Sequence, residues 1–209
     1  MTRAFAEACR IENGFEGIPV PGRTDTIILA DAAAKWGLEA SPAFVAAFQD
    51  TYYRCLSEEL SRLPPTIPGV LPGVVDLLEA LQKMQGFNVG LLTGNYSISA
   101  RIKLERFGLW HYFPFGAFGE DAAERPHLVR VALERADGAG MPDVSFGDVV
   151  LVGDTPLDVA CGLSNGTRVL GVATGSFSVE ELARAGAHKA VRTLEDTEGL
   201  LRWLGKESG

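Results

Sequence analysis

The sequence lacks most of what would staple, anchor or charge-couple a protein to something else. Its three cysteines, Cys9, Cys55 and Cys161, are odd in number, far apart and in no metal-ligand spacing. That excludes a disulfide framework and leaves them as small buried hydrophobes of a reducing compartment. No apolar run approaches membrane-spanning length, and the first residues carry no apolar signal core. No Lys/Arg cluster appears, and 19 basic against 27 acidic residues give a formal net charge of −8. This argues against wrapping nucleic acid or lying on anionic lipid. The expectation is a soluble, cytoplasmic protein with neither nucleic acid nor membrane as partner. A strongly anionic substrate would need cations, amide dipoles or a metal gathered at one place. Repeats and low-complexity tracts are also missing, and nothing in the pattern fixes an oligomeric state.

What is present is the material of a globular fold. Hydrophobic residues make up 46% and charged residues 22% of 209 positions, enough for one domain or a core with a smaller lobe. Residues 1–68 read as helical throughout. Met1 to Cys9 is a short amphipathic piece, followed by a Gly/Pro-rich loop around Gly14–Gly22. Thr24 or Asp25 can cap a helix with Ile27, Ile28 and Ala32 on one face. Ser41-Pro42 is an N-cap with proline at the first helical position, and Phe44, Val45, Phe48, Tyr52 and Leu56 follow at helical spacing. Pro64, Pro65, Pro68 and Pro72 mark a linker.

Residues 69–209 alternate instead. A helix from Val74 leads to a strand at Phe87–Leu92, and a helix from Ser97 to Phe107 stops at Gly108. A weak strand at Phe115–Phe118 precedes a helix from Pro126 to Ala136. Val149–Val152 is the clearest strand, suited to a buried parallel position. A helix from Pro156, a strand Arg168–Val172, a helix Val179–Ala185, a short strand Ala190–Val191 and a helix through Trp203 complete the pattern. Strands alternating with helices predict an α/β fold with a parallel sheet and crossovers.

Ligands of open parallel sheets bind outside the carboxyl ends of the strands, and three such places carry matching polar groups. Leu91-Leu92-Thr93-Gly94-Asn95 ends a strand with a hydroxyl, a glycine and a helix start, where free amides and the Thr93 hydroxyl would cradle a phosphate. Taken alone, Thr93 reads sooner as a plain N-cap or turn residue. Gly153-Asp154-Thr155-Pro156-Leu157-Asp158 follows the clearest strand and can bring two carboxylates to one side of a helix start. Such a pair repels itself unless a cation intervenes, and its oxygens suit Mg²⁺; an acidic first turn that answers the helix dipole would account for Asp158 but not for Asp154. Glu124-Arg125-Pro126 opens a helix with a cation that could offset substrate charge, though by itself Arg125 is a surface arginine.

In this order and spacing the segments resemble the haloacid-dehalogenase superfamily, specifically its phosphoglycolate-phosphatase-like members, over nearly the whole chain. Thr93 matches the family's second motif, Arg125 stands where Lys is usual, and Gly153–Asp158 matches the magnesium-binding fourth motif. Thr93–Tyr96, Gly116–Gly119 and Val172–Gly175 are similar to the same branch, and Gly22-Arg23-Thr24-Asp25 resembles its cap signature. The resemblance implies a Rossmann-like core at 69–209 under a helical cap at 1–68. It implies a small phosphorylated metabolite as substrate, Mg²⁺ as cofactor, and Thr93 and Arg125 as catalytic residues. Thr93, Gly94, Asn95 and Arg125 would bind phosphate, and Asp154 and Asp158 the metal.

The family begins with a central strand followed by Asp-x-Asp, whose first aspartate attacks phosphorus. No Asp-x-Asp occurs in these 209 residues, and the first aspartate is Asp25. The expectation is that this strand and its loop, roughly fifteen to twenty-five residues, are absent and that no nucleophile is present. The complete protein would hydrolyse phosphomonoesters through an aspartyl-phosphate, and the chain as written would be inactive. The alternative is a non-catalytic pseudo-phosphatase that binds or regulates. A dehalogenase would not need the acidic pair, and a receiver domain would need an acceptor aspartate after its own first strands. Should turnover occur without Asp-x-Asp, Asp121 is the first substitute nucleophile to consider.

Overall fold

The computed structural model describes residues 1–64, 69–122, 124–141 and 144–205. The chain divides into two units. The first gathers Met1–Ile67, Thr93–Trp110 and Phe118–Ala123; the second gathers Pro68–Leu92, His111–Ala117 and Glu124–Gly209.

The first unit is helical: α1 (Thr2–Cys9), α2 (Asp25–Lys35), α3 (Pro42–Arg62) and α5 (Ser97–Arg106). Thr24, rather than Asp25, caps α2 by accepting the Ile27 N–H, and Ser41 caps α3 ahead of its first-turn proline. The core of this unit is aromatic: Phe5, Phe48, Tyr52 and Tyr96 pack with Ala4, Leu29, Ala32 and Cys55. Phe5 meets Phe15 edge-on with ring centroids 5.1 Å apart, the geometry aromatic quadrupoles favour. A Cβ at Gly14 would fall 2.2 Å from the Phe5 ring, so the loop after α1 can close over that core only with glycine.

The second unit holds α4 (Val74–Lys83), α6 (Arg125–Gly138), α7 (Pro156–Ser164), α8 (Val179–Arg184) and α9 (Thr197–Leu204). Its strands are β1 (Leu91–Leu92), β2 (Gly116–Ala117), β3 (Val150–Gly153), β4 (Arg168–Val172) and β5 (Lys189–Val191). Every pairing is parallel, as the alternation predicts: Leu91 opposite Gly116, Leu151 opposite Val169, Gly171 opposite Ala190. Strand β4 is buried on both faces. Leu170 and Val172 join Leu77 of α4 and Leu200 of α9, while Val169 joins Val159 of α7 and Leu182 of α8. The protein is therefore an α/β fold with helices on both sides of a parallel sheet.

The strands form two hydrogen-bonded groups, β1–β2 and β3–β4–β5. Leu92 and Leu151 nevertheless pack against one apolar cluster with Val129 and Cys161. Here the structure departs from the pattern in two places. The expected strand Phe87–Leu92 pairs only over its last two residues. In β3, read as the buried strand, Leu151 is buried but Val152 is 50% exposed, because β3 has a paired neighbour on one edge only among the described residues. No helix of the described residues is long and apolar enough to cross a membrane.

Candidate active site

In the second unit, β3 passes to α7 through Asp154 and Thr155, and the turn is closed by a capping box. Thr155 Oγ1 accepts the Asp158 N–H at 3.1 Å. In return Asp158 Oδ2 accepts the N–H of Asp154 at 3.1 Å, the N–H of Thr155 at 3.0 Å and the Thr155 hydroxyl at 2.9 Å. An aspartate at the third helical position thus satisfies amides that the helix cannot. A Cβ at Gly153 would fall 2.3 Å from Asp158 Cβ, so the glycine is what admits this side chain.

Asp158 is 2% exposed, and its other oxygen, Oδ1, lies 2.5 Å from Arg125 Nη2. The contact is an ion pair outside hydrogen-bond geometry, and the buried Arg125 Nε has no partner among the described residues. Arg125 is held at the head of α6, where its carbonyl accepts the Cys161 thiol at 3.5 Å and the next carbonyl, of Pro126, accepts Asn165 Nδ2 at 2.9 Å. With 20% of its side chain exposed, Arg125 is no surface arginine. Residues 33 positions apart in sequence meet here as a buried charge pair.

Asp154 is placed differently. Its N–H serves Asp158, and its own carboxylate takes no donor from another residue among the described ones. Burial first, and the neighbouring Asp158 charge second, push its pKa up, with Arg125 pulling the other way. A Cβ at Gly175 would fall 2.6 Å from Asp154 Oδ2, so the loop after β4 approaches this carboxylate as closely as glycine allows. Set against Mg²⁺, Asp154 offers the hard, uncommitted oxygens such a cation takes. Asp158 faces four donors already. Among the described residues no three His, Cys, Asp or Glu side chains converge as a metal cluster; a cation at Asp154 would complete its shell with water and substrate oxygens.

Thr93, Gly94 and Asn95 belong to the first unit. Thr93 Oγ1 accepts the Asn95 N–H at 3.1 Å and keeps its hydroxyl proton for another acceptor. The amides expected to be free are engaged: Tyr96 N–H donates to Asp25 Oδ2 at 3.0 Å, and Ser97 N–H to Glu120 Oε1 at 2.9 Å. Two carboxylates thus occupy the positive end of α5 that an anion would otherwise seek. Gly94 is a packing glycine, since a Cβ there would lie 2.4 Å from the Arg23 carbonyl oxygen. Asn95 spans two charges, with Nδ2 3.3 Å from Asp25 Oδ1 and Oδ1 accepting Lys103 Nζ at 2.9 Å. Asp121 is tied into a turn, its Oδ2 accepting the Phe118 N–H at 2.8 Å.

Sequence reasoning passed over Lys103 and Glu120, and read Asp25 only as a possible helix cap and as part of a cap-like segment. The one signal was the cap-like segment Gly22–Asp25; its contact with residues 70 positions away is not a local property.

The family described as haloacid dehalogenase-like hydrolase matches residues 31–172. The "Probable phosphatase IndB" of Dickeya dadantii (strain 3937) is 33% identical over 151 residues, 69% of this chain and 61% of that protein. The chain therefore spans less than two thirds of that curated relative. The phosphoglycolate phosphatase of Rhodospirillum rubrum is 31% identical over 185 residues, 86% of this chain and 71% of that one. Among solved structures, a hydrolase from Pseudomonas syringae superposes with a TM-score of 0.66 at 20% identity, covering 98% of this chain and 91% of its own. A "predicted phosphoglycolate phosphatase" from Haemophilus somnus gives 0.63 at 18% identity, covering 96% and 88%. At these identities the structures speak to fold.

Proposed function

The chain belongs to the haloacid dehalogenase-like hydrolases, and from that premise we propose that its residues serve the Mg²⁺-dependent hydrolysis of a small, phosphoglycolate-like phosphomonoester. The observation that carries this reading is the unequal acidic pair: Asp158 is consumed by the cap and by Arg125, while Asp154 stands beside it uncommitted and charged at a cost. A structural turn needs the first carboxylate and has no use for the second. Bound Mg²⁺ would supply neutralisation of the phosphoryl oxygens. In this reading Asp154 holds that cation, and Asp158 keeps Arg125 in one orientation, where its free buried Nε and remaining amino group can meet phosphoryl oxygens. On the resemblance of its own loop, the Thr93 hydroxyl is read as a hydrogen-bond donor to phosphate. The phosphoglycolate phosphatase among the relatives supports a small phosphomonoester as substrate class.

None of these groups attacks phosphorus. We place the nucleophilic aspartate on a segment outside the 209 residues, pairing as a parallel strand between β1 and β3. The separation of β1–β2 from β3–β4–β5, the apolar cluster shared by Leu92 and Leu151, and the half-exposed Val152 support that position. A second reading, a non-catalytic binding or regulatory chain, is favoured by the lack of Asp-x-Asp. The upstream DNA separates them. An in-frame strand ending in Asp-x-Asp, whose expression with the chain yields Mg²⁺-dependent hydrolysis lost in Asp154→Asn, is the outcome expected here. A stop codon directly upstream of Met1 would decide for the second reading.

A further inference from the structure

The Gly22–Asp25 segment has no part in the chemistry above, yet Asp25 is, like Asp158, a buried carboxylate among the described residues, at 4% exposure. It is not needed by its own helix, which Thr24 caps. Its contacts go instead to the loop that carries Thr93. The Asp25 N–H donates to the Gly94 carbonyl at 2.6 Å. Its carboxylate accepts the Tyr96 N–H at 3.0 Å, faces Asn95 Nδ2 at 3.3 Å and 3.4 Å, and reaches the Ser99 hydroxyl at 3.5 Å. Thr26 extends the clamp by donating its hydroxyl to the Gly119 carbonyl at 2.7 Å, and the Gly119 N–H returns to the Asn95 carbonyl at 2.8 Å.

The orientation of Asn95 is fixed by charge. With Asp25 at its amide nitrogen and Lys103 at its amide oxygen, a half-turn of the side chain would set donor against donor and acceptor against acceptor. Both charges are kept against burial, which pushes the Asp25 pKa up and the Lys103 pKa down. Buried charges persist where the hydrogen bonds they make are specific.

We propose that Asp25 is a positioning residue for the Thr93–Tyr96 loop: it locks the loop backbone and the Asn95 amide so that the Thr93 hydroxyl is held in one orientation toward a phosphoryl group. The inference rests on the reading of Thr93 as a phosphate-holding residue and adds the residue that sets its geometry.

The test uses the full chain, with amide hydrogen exchange by NMR and titration with inorganic phosphate, on Asp25→Asn and Thr93→Ala. Charge-assisted hydrogen bonds of this kind predict that Asp25→Asn speeds exchange at Asn95 and Tyr96 by about tenfold and weakens phosphate by a similar factor, with the amides of α1 and α3 unchanged. Unchanged loop exchange overturns the proposal. So does a loosened loop that binds phosphate as tightly as the parent while Thr93→Ala binds it more weakly, since Asp25 would then hold structure alone. If Thr93→Ala leaves phosphate binding intact, the phosphate reading of Thr93 is what fails, and this inference falls with it. If Asp25→Asn unfolds the unit, so that α3 exchanges as fast as the loop, Asn95→Ala decides: faster exchange confined to residues 94–96 supports the clamp, and no change removes it.

Discussion

Asp154 and Asp158 are the same residue type four positions apart, and their surroundings give them different work. The Asp154 carboxyl is held above its ordinary value of 3.8, so the folded chain keeps its proton at a pH where the unfolded chain has released it. Metal-free stability therefore rises as pH falls through the raised value toward 3.8 and is lowest with Asp154 ionised. Asp154→Asn should abolish binding of Mn²⁺ as a Mg²⁺ probe, followed by water relaxation. It should also raise the melting temperature of the metal-free chain at neutral pH, as is common where a functional group is kept at a cost. A variant that binds Mn²⁺ like the parent, or that melts lower, contradicts the assignment. Arg125→Met acts in the opposite direction. It strands a carboxylate that is 2% exposed, and breaking a buried pair from one side costs about 3–5 kcal/mol. Urea unfolding reads this, and a loss within error would mean that the pair is not formed.

At the scale of elements, the β3–α7 turn is held by a capping box and a close glycine contact. Gly153→Ala would drive a methyl group into Asp158 Cβ at 2.3 Å, so a loss of about 1–3 kcal/mol, the range for overpacking, is expected in thermal melts. Strand β3 carries a second consequence. Val152 is 50% exposed on a strand with one unpaired edge among the described residues, and such an edge is a template for pairing with another chain. Val152→Lys should lower light scattering at high concentration with little change in melting temperature, and unchanged scattering would show that this edge is not the contact.

Much of this was legible in sequence because it is local. Ser41-Pro42, Thr24 as one of two possible caps, the helix stop at Gly108 and strand Arg168–Val172 each follow from neighbours in the chain. What was not legible depends on distant partners. A Val/Val/Leu/Val run cannot reveal that one edge of β3 finds no strand among the described residues. The amides at the start of α5 look free until Asp25 and Glu120 arrive from elsewhere in the chain. Arg125 reads as a surface residue until Asp158 is beside it.

At the scale of the molecule, this haloacid dehalogenase-like hydrolase carries an Asp154 carboxylate without a donor from another described residue, an arginine paired with Asp158, a Thr93–Tyr96 loop bonded to Asp25, and no Asp-x-Asp. Positioning and neutralising groups lower a barrier only when something attacks, and water without a general base forgoes about 10²–10⁴-fold in rate from that source alone. The most direct measurement is hydrolysis of p-nitrophenyl phosphate by the 209-residue chain at saturating Mg²⁺, run beside Asp154→Asn. The account predicts negligible turnover for both, and Mg²⁺-dependent turnover once a strand ending in Asp-x-Asp precedes Met1. Robust turnover by the 209-residue chain alone, abolished in Asp154→Asn, would contradict it and place the nucleophile among the residues described here, with Asp121 the first to be replaced.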